Sequence, residues 1–147
     1  MTRAGRRWAG LRGIVALAPL ALLLMGLGNG SDANRSTIPL PERNYSVTVT
    51  DSKGRTIEAD RFTWDGKVYF KATFGSASIT LPFEKLSALN MQPQAETGSP
   101  NLIAASAVLK SGETVAVALD RTSKCYGTTR FGDYEIFIKD VGSIKFK

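Results

Sequence analysis

The sequence predicts an all-β protein. It is expected to hold two tandem small barrel-like β units of about five short strands each, with a 3₁₀ turn before the last strand of each. The units pack as one domain behind a signal-peptide helix. Three observations lead there. Apolar and polar residues alternate through most of residues 45–147, the period of a half-buried strand. A segment near the middle, "FGSASITLPFEKLSALNM" at Phe74–Met91, is echoed by "FGDYEIFIKDVGSIKF" at Phe131–Phe146. Upstream of both lies a basic stretch followed by an apolar run.

The leader comes first. Arg3, Arg6, Arg7 and Arg12 stand in residues 1–13 without an acid, and "IVALAPLALLLMGLG" follows at Ile14–Gly28. Basic, then apolar, then small and polar is the layout of a secretory signal. The run falls short of the roughly 20 residues that a membrane span needs, and Pro19 interrupts it. Residues 1–30 therefore read as a signal peptide, 31–44 as a flexible N-terminal segment, and the product as exported to a periplasmic or extracellular space. No membrane span is expected after cleavage, and retention of the run as an anchor is the alternative.

Removing the leader changes the electrostatics. The chain has 19 Lys and Arg against 13 Asp and Glu, but four of the arginines belong to the leader. The remaining 15 cations and 13 anions leave about +2, too little for a nucleic-acid footprint. The single cysteine, Cys125, excludes an intramolecular disulfide, so the fold must hold by packing.

The first unit is expected at residues 45–91, the second at 102–147, and polar "QPQAETGSPN" at 92–101 reads as their linker. In the first unit Val47 and Val49 alternate with Thr48 and Thr50 before the turn "DSKG". In the second, Val115, Val117 and Leu119 alternate after "KSGE". "SKGRTIEA" aligns with "KSGETVAV", placing Gly54 on Gly112. "KVYFKATFG" aligns with "KCYGTTRFG" by the shared Phe-Gly, with one residue dropped and two added downstream. Tyr134, Ile136 and Ile138 should share one face, with Glu135, Phe137 and Lys139 on the other. The three-residue step from Val141 to Ile144 suggests a 3₁₀ turn there, followed by a short last strand. A unit of some 46 residues buries too little surface to fold alone, so duplication should supply the core.

"VLKSGETVAVALDRTSK" at Val108–Lys124 resembles the first motif of Sm-like proteins, and "IFIKDVGSIKF" loosely resembles the second. Strand, 3₁₀ turn and closing strand also resemble the end of small Src-homology-type barrels. The chain further resembles uncharacterised exported bacterial β-domains that end in a similar "FG…I…I" pattern. These resemblances imply the fold. They do not imply RNA binding: the Asp and Asn of the Sm-like site have no match in "DRTSKCYG" or "RFTWDGKV", and export removes RNA from reach.

Chemistry is sparse. The chain has no histidine, so the commonest general base and the usual zinc sets are missing. The carboxylates Asp60, Asp65, Asp120, Asp133 and Glu135 fall in turns or on polar strand faces, a pattern of solvated surface rather than a hydrolase pair. No catalytic residue, metal or cofactor is expected. Trp64, in "FTWDGK", and Tyr69 and Tyr126, aligned across the echo, are the candidate contact residues for a partner. Cys125 reads either as a buried thiol or as one half of an intermolecular disulfide. The leading expectation is a non-catalytic exported module binding a protein or an envelope polymer. The alternatives are a structural subunit of a surface assembly, with self-association open, and a carboxylate hydrolase.

Overall fold

A computed structural model describes residues 38–147. The expected signal helix and the first half of the flexible N-terminal segment, residues 31–37, lie outside the described residues. No described helix is long and apolar enough to cross a membrane.

The described chain is all-β, with ten antiparallel strands in one curled, half-barrel sheet. The first five strands are β1 (Val47–Asp51), β2 (Thr56–Trp64), β3 (Tyr69–Phe74), β4 (Ala77–Pro82) and β5 (Leu86–Met91). The second five are β6 (Leu102–Leu109), β7 (Thr114–Asp120), β8 (Lys124–Thr129), β9 (Gly132–Phe137) and β10 (Val141–Phe146). A 3₁₀ turn at Phe83–Lys85 precedes β5 and another at Ile138–Asp140 precedes β10. Across the sheet the strands run β4-β3-β7-β6-β5-β10-β1-β2-β8-β9.

That order departs from chain order at β2. Asp65 (φ 48°) and Gly66 (φ 83°) make a two-residue turn bridged by Trp64 and Lys67, yet β3 does not continue a ladder with β2. Instead β2 pairs with β8, joining Thr63 to Tyr126 and Trp64 to Cys125. β3 pairs with β4 and meets β7 at Thr73 and Ala118. Likewise β1 pairs with β10, and β5 with β6 and β10. Residues 92–101 are the loop between β5 and β6, which are themselves sheet neighbours.

The alternation expected from sequence sets the burial. Val47 and Val49, Phe70 and Ala72, Ala105 and Ala107, and Cys125 and Gly127 point inward, and their neighbours outward. The core is aromatic at its centre. Phe83, on the first 3₁₀ turn, lies 5.0 Å from Phe70 and Phe146 and 5.5 Å from Phe62 and Tyr45, measured between ring centroids. Those partners come from β2, β3, β10 and the segment before β1, so one side chain holds distant parts of the chain together.

Two local expectations need correction. The 3₁₀ turn lies at Ile138–Asp140, before the Val141–Ile144 step. The step itself is a bulge: Thr50 faces Ser143 while Asp51 faces Val141, leaving Gly142 extra. A Cβ on Gly142 would lie 2.9 Å from the Asp51 carbonyl oxygen and 3.1 Å from that of Thr50. The Phe-Gly echo also misleads, because Phe74 ends β3 whereas Phe131 sits in the β8–β9 turn.

Two substitutions test this packing. Gly142→Ala should cost about 2 kcal/mol in chemical denaturation, because the new methyl meets backbone that cannot yield. Phe83→Ala should cost about 3–5 kcal/mol, the range for emptying an aromatic core site.

Candidate functional site

The β2 strand changes partners half way along. Thr56–Ala59 pair with β1, then the ladder to β8 begins at Asp60, with a bulge between Asp60 and Thr63. Arg61 stands inside that bulge at φ 53°, and its N–H donates to Asn44 Oδ1 at 2.7 Å. A side-chain-bearing residue in the left-handed region is strained, and here the Asn44 bond helps to hold it. Before the bulge β2 and the β8–β9 hairpin diverge. Between them opens a cleft of about 860 Å³.

One wall of the cleft is Arg55–Glu58 and Asp60; the other is Thr128–Phe131 with Tyr134. Phe131 is 73% exposed, the most exposed large apolar side chain among the described residues, and the Arg130 guanidinium lies 4.4 Å from its ring centre. The tip is shaped by Thr129, whose Oγ1 accepts from the Phe131 N–H at 3.1 Å and donates to the Gly132 carbonyl at 2.9 Å.

The cleft's acids are occupied. Asp51 accepts the N–H groups of Lys53 and Arg55 at 2.8 and 2.9 Å, and these bonds, with the nearby cations, hold its carboxyl below the usual Asp range. Glu58 pairs with Lys147 at 2.8 Å, and Asp60 accepts from Ser46 Oγ at 2.6 Å. Arg55 and Arg130 take part in no ion pair among the described residues. Burial, with Asp51 and Cys125 nearby, raises the Tyr134 hydroxyl above its ordinary value, so it stays neutral.

The sequence-derived candidates are placed elsewhere. Trp64 is buried, its indole N–H donating to Ser123 Oγ at 2.9 Å, and its ring lies 6.1 Å from Phe70. Tyr69 is half-buried, 6.4 Å from Trp64, with Lys67 over both rings. Tyr126 faces outward from β8, opposite Glu135 on β9 and Thr63 on β2. Thus Trp64 and Tyr69 come together, and Tyr126 stands apart. Near it Phe137 lies between Lys124 and Lys139, at 4.8 and 5.5 Å. Cys125 is fully buried, and desolvation first, then Asp65, drives its thiol strongly upward in pKa. Among the described residues no group of three or more acidic or cysteine side chains is placed to hold a metal ion.

The cleft residues are hidden in the sequence because the shared Phe-Gly sets Phe131 opposite Phe74, which ends a strand. The available signal was Phe131-Gly132 itself, an apolar residue directly followed by a turn former.

Residues 41–147 match one family model, most of the chain and nearly all of its described part. The chain belongs to the family described as "Uncharacterised protein". None of the curated proteins matches it in sequence.

Two measurements follow from these environments. Cys125 should resist an aromatic disulfide reagent in the native protein and react once denatured, because the reactive thiolate is disfavoured inside. Asp51, with its lowered folded pKa, stabilises the protein above the ordinary Asp range and loses that contribution as pH falls through the folded value. Acid unfolding of Asp51→Asn should therefore show a shallower pH dependence than wild type.

Proposed function

We propose that the folded chain is a non-catalytic binding module, exported by its leader, that contacts a protein or envelope polymer through the cleft beside Phe131. The observation that carries this is the cleft's combination of an exposed aromatic ring with two arginines outside any described ion pair, while its acids are already engaged. Such a surface suits contact more than proton transfer: the sequence offers no histidine, and each acid is tied to a structural partner. Tyr126 and Phe137 add an outward aromatic and cationic face on the same hairpin.

We further propose that the architecture is a duplicated small barrel whose halves have exchanged strands. Support comes from recurrence. β3 and β8 begin at Tyr69 and Lys124, β4 and β9 at Ala77 and Gly132, the 3₁₀ turns at Phe83 and Ile138, and β5 and β10 at Leu86 and Val141, each pair 55 residues apart. In this register Phe70 corresponds to Cys125 and Ala72 to Gly127, with no gaps. The strand order also reads the same from either end once each strand is replaced by its counterpart five places on. Equivalent bonds recur: Ser52 N–H donates to the Asp140 carbonyl at 2.8 Å, and Lys110 N–H to that of Lys85 at 2.9 Å. Each bond links a hairpin of one half to the 3₁₀ turn of the other. One barrel then consists of β1, β2 and β8–β10, and its twin of β3–β7.

A second reading, a subunit of a surface assembly, rests on β4 and β9, which are the two outer strands of the sheet. Solution mass over a concentration series separates it from a monomeric binder.

The binding reading is tested by retention on isolated envelope material and on soluble envelope proteins. Phe131→Ser should abolish retention, whereas Phe74→Ser, at the other exposed hairpin, should leave it unchanged; equal retention of both variants would overturn the assignment. Fusing residues 1–37 to a reporter active only outside the cytoplasm tests export, and a silent reporter would refute it. For the strand exchange, residues 45–91 alone should be unfolded or dimeric, and a cooperatively folding monomer would end that reading.

A further inference from the structure

Resting on the surface-assembly reading and independent of the cleft, we propose that two copies of this chain pair through β4, edge to edge and antiparallel, in a closed two-fold dimer. The β3–β4 hairpin fixes which groups that edge presents. Phe83 N–H donates to the Val68 carbonyl at 3.0 Å, and the register runs on from Tyr69–Pro82 to Phe74–Ala77. Bonded pairs alternate along an antiparallel ladder. Phe70–Leu81, Ala72–Ile79 and Phe74–Ala77 are therefore the bonded ones, and Ser78, Thr80 and Pro82 aim their main-chain groups away from β3. The far side of β3 agrees, because Thr73, the partner of Ser78, is the residue that meets β7. No described strand lies beyond β4.

β4 is the unguarded edge. Sheet edges are ordinarily kept apart by charged side chains, bulges or proline. Ala77–Pro82 holds no ionisable residue, Ser78 and Thr80 are exposed hydroxyls, and Pro82 stands only at the strand's end. β9, at the other end of the sheet, carries Asp133 and Glu135, with Lys124 bound to Glu135 at 3.4 Å. A strand laid against β9 would draw ionised groups part-way out of water, whether or not they are paired; one laid against β4 draws none.

The β4 edge is also complementary to itself, which selects a register. Centring the two-fold on Ile79 sets Ser78 of each copy opposite Thr80 of the other, and each such pair exchanges both of its main-chain bonds. Centring it on Thr80 sets Ser78 opposite Pro82, which has no N–H to give, and leaves the Ser78 carbonyl unpaired. The Ile79 register matches side chains as well. The half-buried Ile79 meets its own copy, Ala77 meets Leu81 on the same face, and Ser78 lies beside Thr80 on the other. Such a contact consumes the same patch on both copies, so it closes at a pair. The β8–β9 hairpin beside the cleft lies at the opposite end of the strand order from β4, so each pair keeps two open clefts. A repetitive envelope polymer would then be held at both.

The test is sedimentation of the folded chain over a concentration series, in which the mass should rise to that of a dimer and no further. Ser78→Lys/Thr80→Lys and Ser78→Glu/Thr80→Glu should each self-associate about tenfold more weakly, since like charges then face one another across the two-fold. Mixing the two variants should restore a mixed dimer. Amide exchange at Ser78 and Thr80 should slow as the wild type associates, while Ile79, bonded to β3, is protected throughout. Ile79→Cys should form covalent dimers on mild oxidation, faster than Thr80→Cys, because only position 79 faces itself within disulfide reach. Cys125 is buried and stays out of that reaction. Should a charged variant misfold, as its amide dispersion would reveal, the cross-linking comparison takes its place. A chain that stays monomeric at millimolar concentration overturns the proposal. Association that both charged variants leave intact overturns β4 as the contact, and growth beyond a dimer overturns the closed pair; the broader assembly reading survives either result. Preferential cross-linking through Thr80→Cys overturns the register. Envelope retention of Phe131→Ser is decided separately, since that side chain lies outside the contact.

Discussion

β2 and β3 part at the Asp65-Gly66 turn, and the rest of the structure follows from where each of them goes. β2 carries Phe62 and Trp64 to β8; β3 carries Phe70 to β7. Each keeps one neighbour nearby, β1 for β2 and β4 for β3, and finds its second neighbour among the last five strands, so the first five strands do not close a sheet of their own. Phe83 sits at the crossing and contacts rings from four separate segments. The tight turn, the long-range ladders and the aromatic hub form one cooperative unit, since loss of any of them exposes surface buried by the others.

The cleft is a by-product of the same constraint. A strand that serves β1 over its first half and β8 over its second has to bend, and the strained Arg61 marks the bend. Bending leaves the early residues of β2 without a second strand neighbour among the described residues. Here the exposed Phe131 meets Arg55 and Arg130, and the tertiary fold brings the two walls together although Arg55 and Arg130 are over 70 positions apart in sequence.

Much of the local structure was legible. Period-two alternation located the strands around Val47, Val115 and Ile136. Gly54 and Gly112 marked hairpins, and the three-residue step from Val141 to Ile144 announced an irregularity, which is a bulge within the last strand just after the 3₁₀ turn. The candidate contacts fared differently. Trp64, in "FTWDGK", read as a contact residue for a partner, but Ser123, 59 residues away, supplies an acceptor for its indole, and the ring is buried. Partners so distant leave no periodic trace.

What residues 38–147 could settle locally was the class of structure: β-branched and aromatic alternation, punctuated by glycine turns, suits strands and little else. Which strands pair was decided only in three dimensions. Ladder bonds are the same main-chain groups in every strand, so the choice falls to packing: Cys125 and Gly127 of β8 are small enough to lie against β2, and Phe83 fills the space between β2, β3 and β10. That choice depends on volumes meeting across the core, a property that no stretch of neighbouring residues contains.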